Sequence, residues 1–122
     1  MAVLNVTQES FESLTNLPGI VFFDCWAAWC PPCRAFKPVF EAASTEHPDI
    51  TFGSIDTEKE AVLAAQLGIT SIPTIMAFRD GILVFAQPGA LGAADFKRLI
   101  DAVRGLDMDE VRAQVAAAEA QA

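Results

Sequence analysis

The stretch FFDCWAAWCPPCRAF, residues 22–36, gathers most of the reactive side chains of the chain: Cys30 and Cys33 with two residues between them, a third cysteine at Cys25, and one carboxylate, Asp24, inside an apolar run. Two cysteines at this spacing, where a strand gives way to a helix, can close a small disulfide ring with little backbone movement. With Cys30 at or just before the helix N-terminus, unsatisfied backbone N–H groups and the positive end of the helix dipole favour its thiolate. Cys33, one turn further in, is the less exposed sulfur on this reading. The chemistry is then thiol–disulfide exchange: Cys30 attacks a substrate disulfide and Cys33 resolves the mixed disulfide. A structural pair or half of a zinc site is the competing reading, but zinc wants four ligands. Cys25 and His47 are the remaining candidates nearby. Cys25 points to the strand face opposite Asp24, and His47 falls more than three helical turns downstream. Cys25 reads better as a small buried hydrophobe.

The elements that must hold this stretch follow from periodicity. Residues 3–6 suit a short strand, and Thr7 caps a helix that runs to about Asn16 before the turn Leu17-Pro18-Gly19. Residues 20–27, IVFFDCWA, are almost continuously apolar, as in a strand buried on both faces. Cys33, Phe36, Val39, Phe40 and Ala43 recur at helical spacing up to His47-Pro48, with Pro38 inside the helix and expected to kink it. A strand over 50–56 and a helix over 57–68, acidic in its first turn and closed by Gly68, come next. TIMAF and ILVFA flank Arg79-Asp80-Gly81 as a hairpin. Phe96, Leu99, Ile100 and Val103 form one face of a helix ending near Gly105. This order predicts an α/β domain whose early strands are parallel and whose last strand is antiparallel. The tail beyond Gly105 predicts a short helix, with Asp107 and Glu110 at capping-box spacing and the stripe Met108, Val111, Val115 packing back onto the domain.

Size and composition narrow the function classes. At 122 residues the chain suits a single core without disulfide staples. No apolar run approaches the ~18 residues of a membrane span. The start MAVLNVTQESF has neither a basic nor a long apolar segment of a secretory signal. The expectation is a soluble, cytoplasmic protein, in which a close cysteine pair is catalytic more often than structural. A net charge of −8 argues against nucleic-acid binding, which draws on Lys and Arg.

FFDCWAAWCPPC (22–33), SIPT (71–74), FRDG (78–81) and PGAL (88–91) together resemble the thioredoxin family, in the family's order and approximate spacing, over roughly residues 3–105. The resemblance implies a thioredoxin fold, a five-stranded mixed sheet flanked by helices, for a domain over 1–105, with 106–122 as a C-terminal helical extension. It implies that Asp24 is the buried aspartate behind the cysteines that accepts or relays the proton of the resolving thiol. A carboxylate in an apolar strand is costly to ionise, and a raised pKa suits proton transfer near neutral pH; the plainer reading is a carboxylate bonded to a backbone or hydroxyl neighbour. Pro73 matches the family's cis proline facing the disulfide. Ile72 would then pair through its backbone with an extended client, and Trp29, Ile72, Gly89 and Ala90 would surround Cys30 as a shallow apolar surface.

Trp26 reads as core and His47 as a helix end with no chemical role. The chain departs from the family at Pro31-Pro32, where Gly-Pro is usual; two N–H donors to the sulfur are lost and the redox potential is retuned. Ser54 stands where many members have a lysine beside the aspartate, so the Asp24 carboxylate loses a stabilising cation. Ala28 replaces a commonly acidic residue. The function implied is reduction of protein disulfides, with no bound cofactor, recycled from NADPH through a thioredoxin reductase. A thioredoxin-fold interaction module using the tail helix, and an oxidant or isomerase tuned by Pro31-Pro32, are the alternatives.

Overall fold

Along residues 2–121, which the computed structural model describes, the elements are β1 (Val3–Asn5), α1 (Gln8–Thr15), β2 (Ile20–Trp26), α2 (Pro31–Glu46), β3 (Thr51–Asp56), α3 (Ala61–Gln66), β4 (Thr74–Arg79), β5 (Ile82–Pro88), α4 (Ala93–Arg104) and α5 (Met108–Ala120). β2 is the central strand of a five-stranded sheet ordered β1-β3-β2-β4-β5, and its unbroken apolar run is buried as a central strand requires. β1, β3 and β2 are parallel, and β4 is antiparallel to both β2 and β5. The strand that runs against the others is therefore β4, not the last strand as expected. The six-residue α3, about 9 Å of rise, does not carry the chain back across strands of about 20 Å, so β4 starts at the end where β2 and β3 finish. The hairpin then restores the direction. Asp80 and Gly81 take φ values of 52° and 81°, the left-handed pair that a two-residue hairpin turn needs.

Alternation along the strands divides the core in two. Phe22, Phe36, Phe40, Phe52, Phe96 and Ile100 fill the layer under α2 and α4. Their rings meet edge-on: Phe22 on Phe96 with centroids 5.4 Å apart, and Phe40 on Phe52 at 5.2 Å. Val6, Val21, Phe23, Cys25, Ile55, Leu63 and Met76 fill the opposite layer. Gly53 lies in that second layer because a Cβ there would sit 2.6 Å from Val6 Cγ2 and 3.0 Å from the Phe23 ring.

The helix ends follow local chemistry. Thr7 and Ser10 form a reciprocal capping box at α1. α2 runs unbroken through Pro38 to its C-cap at His47. α3 is shorter than the 57–68 expected. Asp56 Oδ1 accepts the N–H groups of Glu58 (2.9 Å) and Lys59 (3.2 Å), which locks residues 56–60 into a turn and delays the helix to Ala61. In the tail, Asp107 caps α5 through the N–H groups of Asp109 and Glu110. Leu106 packs on the first core layer and Met108 is buried, but Val111 is half-buried and Val115 exposed. The expected stripe thus packs through its first residue, since the alanines beyond it offer little apolar area. Arg79 ties this region to the sheet: its Nη1 donates to the carbonyls of Val103 (2.8 Å), Arg104 (3.1 Å) and Leu106 (2.9 Å).

Candidate active site

Cys30 is the N-cap of α2, with extended backbone, and its sulfur accepts the Cys33 N–H at 3.2 Å. Pro31 and Pro32 occupy the first two helical positions and bring no N–H, so the Cys33 amide is the donor that reaches the sulfur. The pair is closed as a disulfide with Cα atoms 5.2 Å apart. Cys30 and Cys33 are 2% and 3% exposed, so the expected contrast between them is absent in this oxidised form, where each sulfur is set against the other.

Asp24 sits on β2, on the same strand face as Phe22, 4% exposed, with its Oδ1 buried and unpartnered. Burial pushes its pKa up to about 7. The plainer reading, a carboxylate satisfied by neighbouring groups, therefore does not describe it. Ser54 pairs with Asp24 across β2 and β3. Asp24, Ser54 and Cys33 line one cleft of about 270 Å³, walled by Trp26 and Phe40 and bordered by Arg34 and Lys37. Trp26 is half-buried and walls this cleft with its indole N–H unpartnered, so it is not the core residue the sequence suggested. Cys25 faces the other layer. Burial, then the nearby Asp24 charge, pushes its thiol up to about 12, which leaves it inert as a nucleophile.

Trp29 is 65% exposed in the loop before Cys30, and its Nε1 donates to Glu58 Oε1 at 3.0 Å. The sequence does not single out Glu58, because its pattern places residues 57–60 in a helix; Asp56 ahead of two polar residues is the available signal for a turn. Across the sheet, the Cys25–Thr74 register brings the start of β4 level with the end of β2. The Ile72–Pro73 peptide is cis and Pro73 is buried. Gly89, at φ 112°, donates its N–H to the Pro73 carbonyl at 2.8 Å, so Gly89 and the exposed Ala90 flank the same segment. Ile72 is half-buried there.

His47 lies at the far end of α2, with Nδ1 3.0 Å from Arg104 Nη2. Arg104 forks onto Asp49 at 2.7 and 3.0 Å, and this hydrogen bonding holds the Asp49 carboxyl down at about 2. Among the described residues, no three His, Cys, Asp or Glu side chains are grouped to hold a metal ion. No helix among them is long and apolar enough to cross a membrane.

Comparison with known proteins agrees with this geometry. A family model described as Thioredoxin matches residues 2–102. A putative thioredoxin 2 from Streptomyces coelicolor is 46% identical over 121 residues, covering 99% of this chain and 90% of that protein, so the similarity continues through α5. A thioredoxin from Bacillus subtilis is 36% identical over 90 residues, covering 73% of this chain and 86% of its own length. Among solved structures, a mutant thioredoxin from Halobacterium salinarum superposes with a TM-score of 0.77 at 30% identity, over 85% of this chain and 92% of that one.

Proposed function

Because the chain belongs to the thioredoxin family of thiol–disulfide oxidoreductases, we propose that Cys30 and Cys33 act in sequence, with Asp24 as the proton acceptor, to reduce disulfides in client proteins. In the reduced protein the Cys30 thiolate attacks one sulfur of a client disulfide and expels the other as a thiolate, leaving a mixed disulfide. The Cys33 thiol gives its proton to the Asp24 carboxylate. Its thiolate then attacks the Cys30 sulfur, closes the Cys30–Cys33 disulfide and releases the second client thiolate. Two electrons pass from the dithiol to the client. The observation that carries this reading is the shared cleft: Cys33 and the unpartnered Asp24 line the same space, and a carboxyl with a pKa of about 7 exchanges protons near neutral pH.

Trp29, Ile72, Gly89 and Ala90 form the client-docking surface around the buried Pro73, which sets the backbone there for client binding, and Pro31 and Pro32 tune the potential by withholding donors from the Cys30 sulfur. Residues 1–105 carry the redox chemistry, with 106–122 as an extension. The dithiol is restored from NADPH through a thioredoxin reductase, in a cytoplasmic role in electron transport and redox homeostasis. The free buried thiol of Cys25, kept apart from the reactive pair, suits a reducing compartment.

Two measurements test the proposal. Cys30→Ser abolishes reduction of a disulfide-closed peptide, and persisting reduction would make the nucleophile assignment wrong. Equilibration with glutathione buffers reports the potential, for which thioredoxin itself supplies a reference of about −270 mV rather than a value derived for this chain. A potential near −120 mV, about that of a dedicated oxidant, would replace the reductase by an oxidant.

A further inference from the structure

Eight basic side chains stand against sixteen acidic ones, and most of the eight are engaged with other partners. Lys97 pairs with Asp101 at 2.8 Å, Arg98 with Asp95, Arg104 with Asp49 at 2.7 Å and Arg112 with Asp109 at 3.2 Å. Arg79 is turned onto backbone carbonyls at the end of α4. Among the described residues that leaves Arg34, Lys37 and Lys59, all exposed, outside any ion pair. Their positions are unequal. Arg34 and Lys37 follow Cys33 on α2 and line its cleft. Lys59 lies in the turn beside Trp29, where Asp56, Glu58 and Glu60 outnumber it. The surroundings of Cys30 are therefore divided into a basic first stretch of α2, Arg34 and Lys37 with Glu41 a turn beyond them, and an acidic side on the β3–α3 turn.

We infer that this division selects clients by the order of charges around their disulfide: an acidic side chain docks on Arg34, with Lys37 beside it, and a basic one lies toward the turn. The inference rests on the reductase reading and names the substrate class of the same site. Arg34 Nη1 donates to the Ala28 carbonyl at 2.9 Å, which holds the guanidinium on the loop carrying Trp29 and Cys30. Its remaining N–H groups are free to fork onto a carboxylate. Range settles why a chain of net charge −8 can receive an acid here. The Debye length is about 10 Å at 0.1 M salt, and Lys37 is only about 6 Å of helix rise beyond Cys33. A docked client segment therefore responds to the charges nearest it rather than to the net charge of the chain.

The test uses two disulfide-closed peptides of identical composition and zero net charge, one with glutamates before and lysines after the disulfide, the other reversed. The full chain reduces one order roughly fivefold faster at 0.1 M salt, and the ratio falls toward unity at 1 M. The ratio shrinks in the double variant Arg34→Gln, Lys37→Gln, which keeps the acidic turn alone. Equal rates at 0.1 M, or a preference undiminished in the double variant, overturn the inference and leave the reductase reading standing. A third peptide with uncharged flanks monitors the reaction itself; if it is not reduced, the reductase reading fails and this inference fails with it.

Discussion

Asp24 on β2 lies directly across from Ser54 on β3, and the two side chains share a cleft with Cys33. Ser54 is a neutral partner, so no cation on β3 offsets the cost of ionising a carboxylate that is almost fully buried. The same burial that makes Asp24 a proton acceptor near neutrality makes it expensive for the fold.

That cost has a sign and a pH window. An unfolded aspartate ionises near 3.8 and the folded Asp24 near 7, so between these values the unfolded chain releases a proton that the native one retains. The contribution of Asp24 to stability is highest below the unfolded value, falls as pH rises to about 7, and levels off above it. The total is on the order of 4 kcal/mol. Asp24→Asn removes this slope and slows resolution of the mixed disulfide. Denaturant midpoints at pH 4 and pH 8 check it: equal pH dependence in variant and parent rules out a raised Asp24 pKa.

Restoring a cation across the strand pair moves the proton acceptor. Ser54 is half-buried at the cleft, so Ser54→Lys has a path to solvent along it. The ammonium favours the carboxylate and lowers the Asp24 pKa by about one pH unit or more. The pH profile of peptide reduction is expected to move to lower pH by the same amount. A profile that stays in place, in a variant with unchanged circular dichroism, counts against Asp24 as the group titrating in the reaction.

Glu58 positions Trp29 through a single exposed hydrogen bond. Glu58→Ala frees the indole, costing the fold no more than about 1 kcal/mol because the bond is solvated. The docking surface is what changes. KM for a disulfide peptide rises roughly threefold while kcat holds, the split expected when binding alone is lost. Unchanged KM together with unchanged tryptophan fluorescence would show that the bond does not order Trp29.

The sequence alone was sufficient wherever the controlling groups lie within a few residues of one another. Cys30 at the helix start, Thr7 as a cap, the Asp80-Gly81 hairpin and the buried run of β2 are all set by local backbone chemistry or by period. The family motifs supplied Asp24, Pro73 and the place of Ser54 beside the carboxylate. Other features depend on residues brought together from distant parts of the chain. The Trp29–Glu58 bond spans 29 positions, and the Arg79 bonds to the end of α4 span 24 and 25. Trp26 became a cleft wall, and β4 the reversed strand, because of how α2 and the short α3 pack and connect rather than because of their own residues. Periodicity tells a side chain which face of its element it occupies; only strand register and helix docking decide which other side chain meets it there.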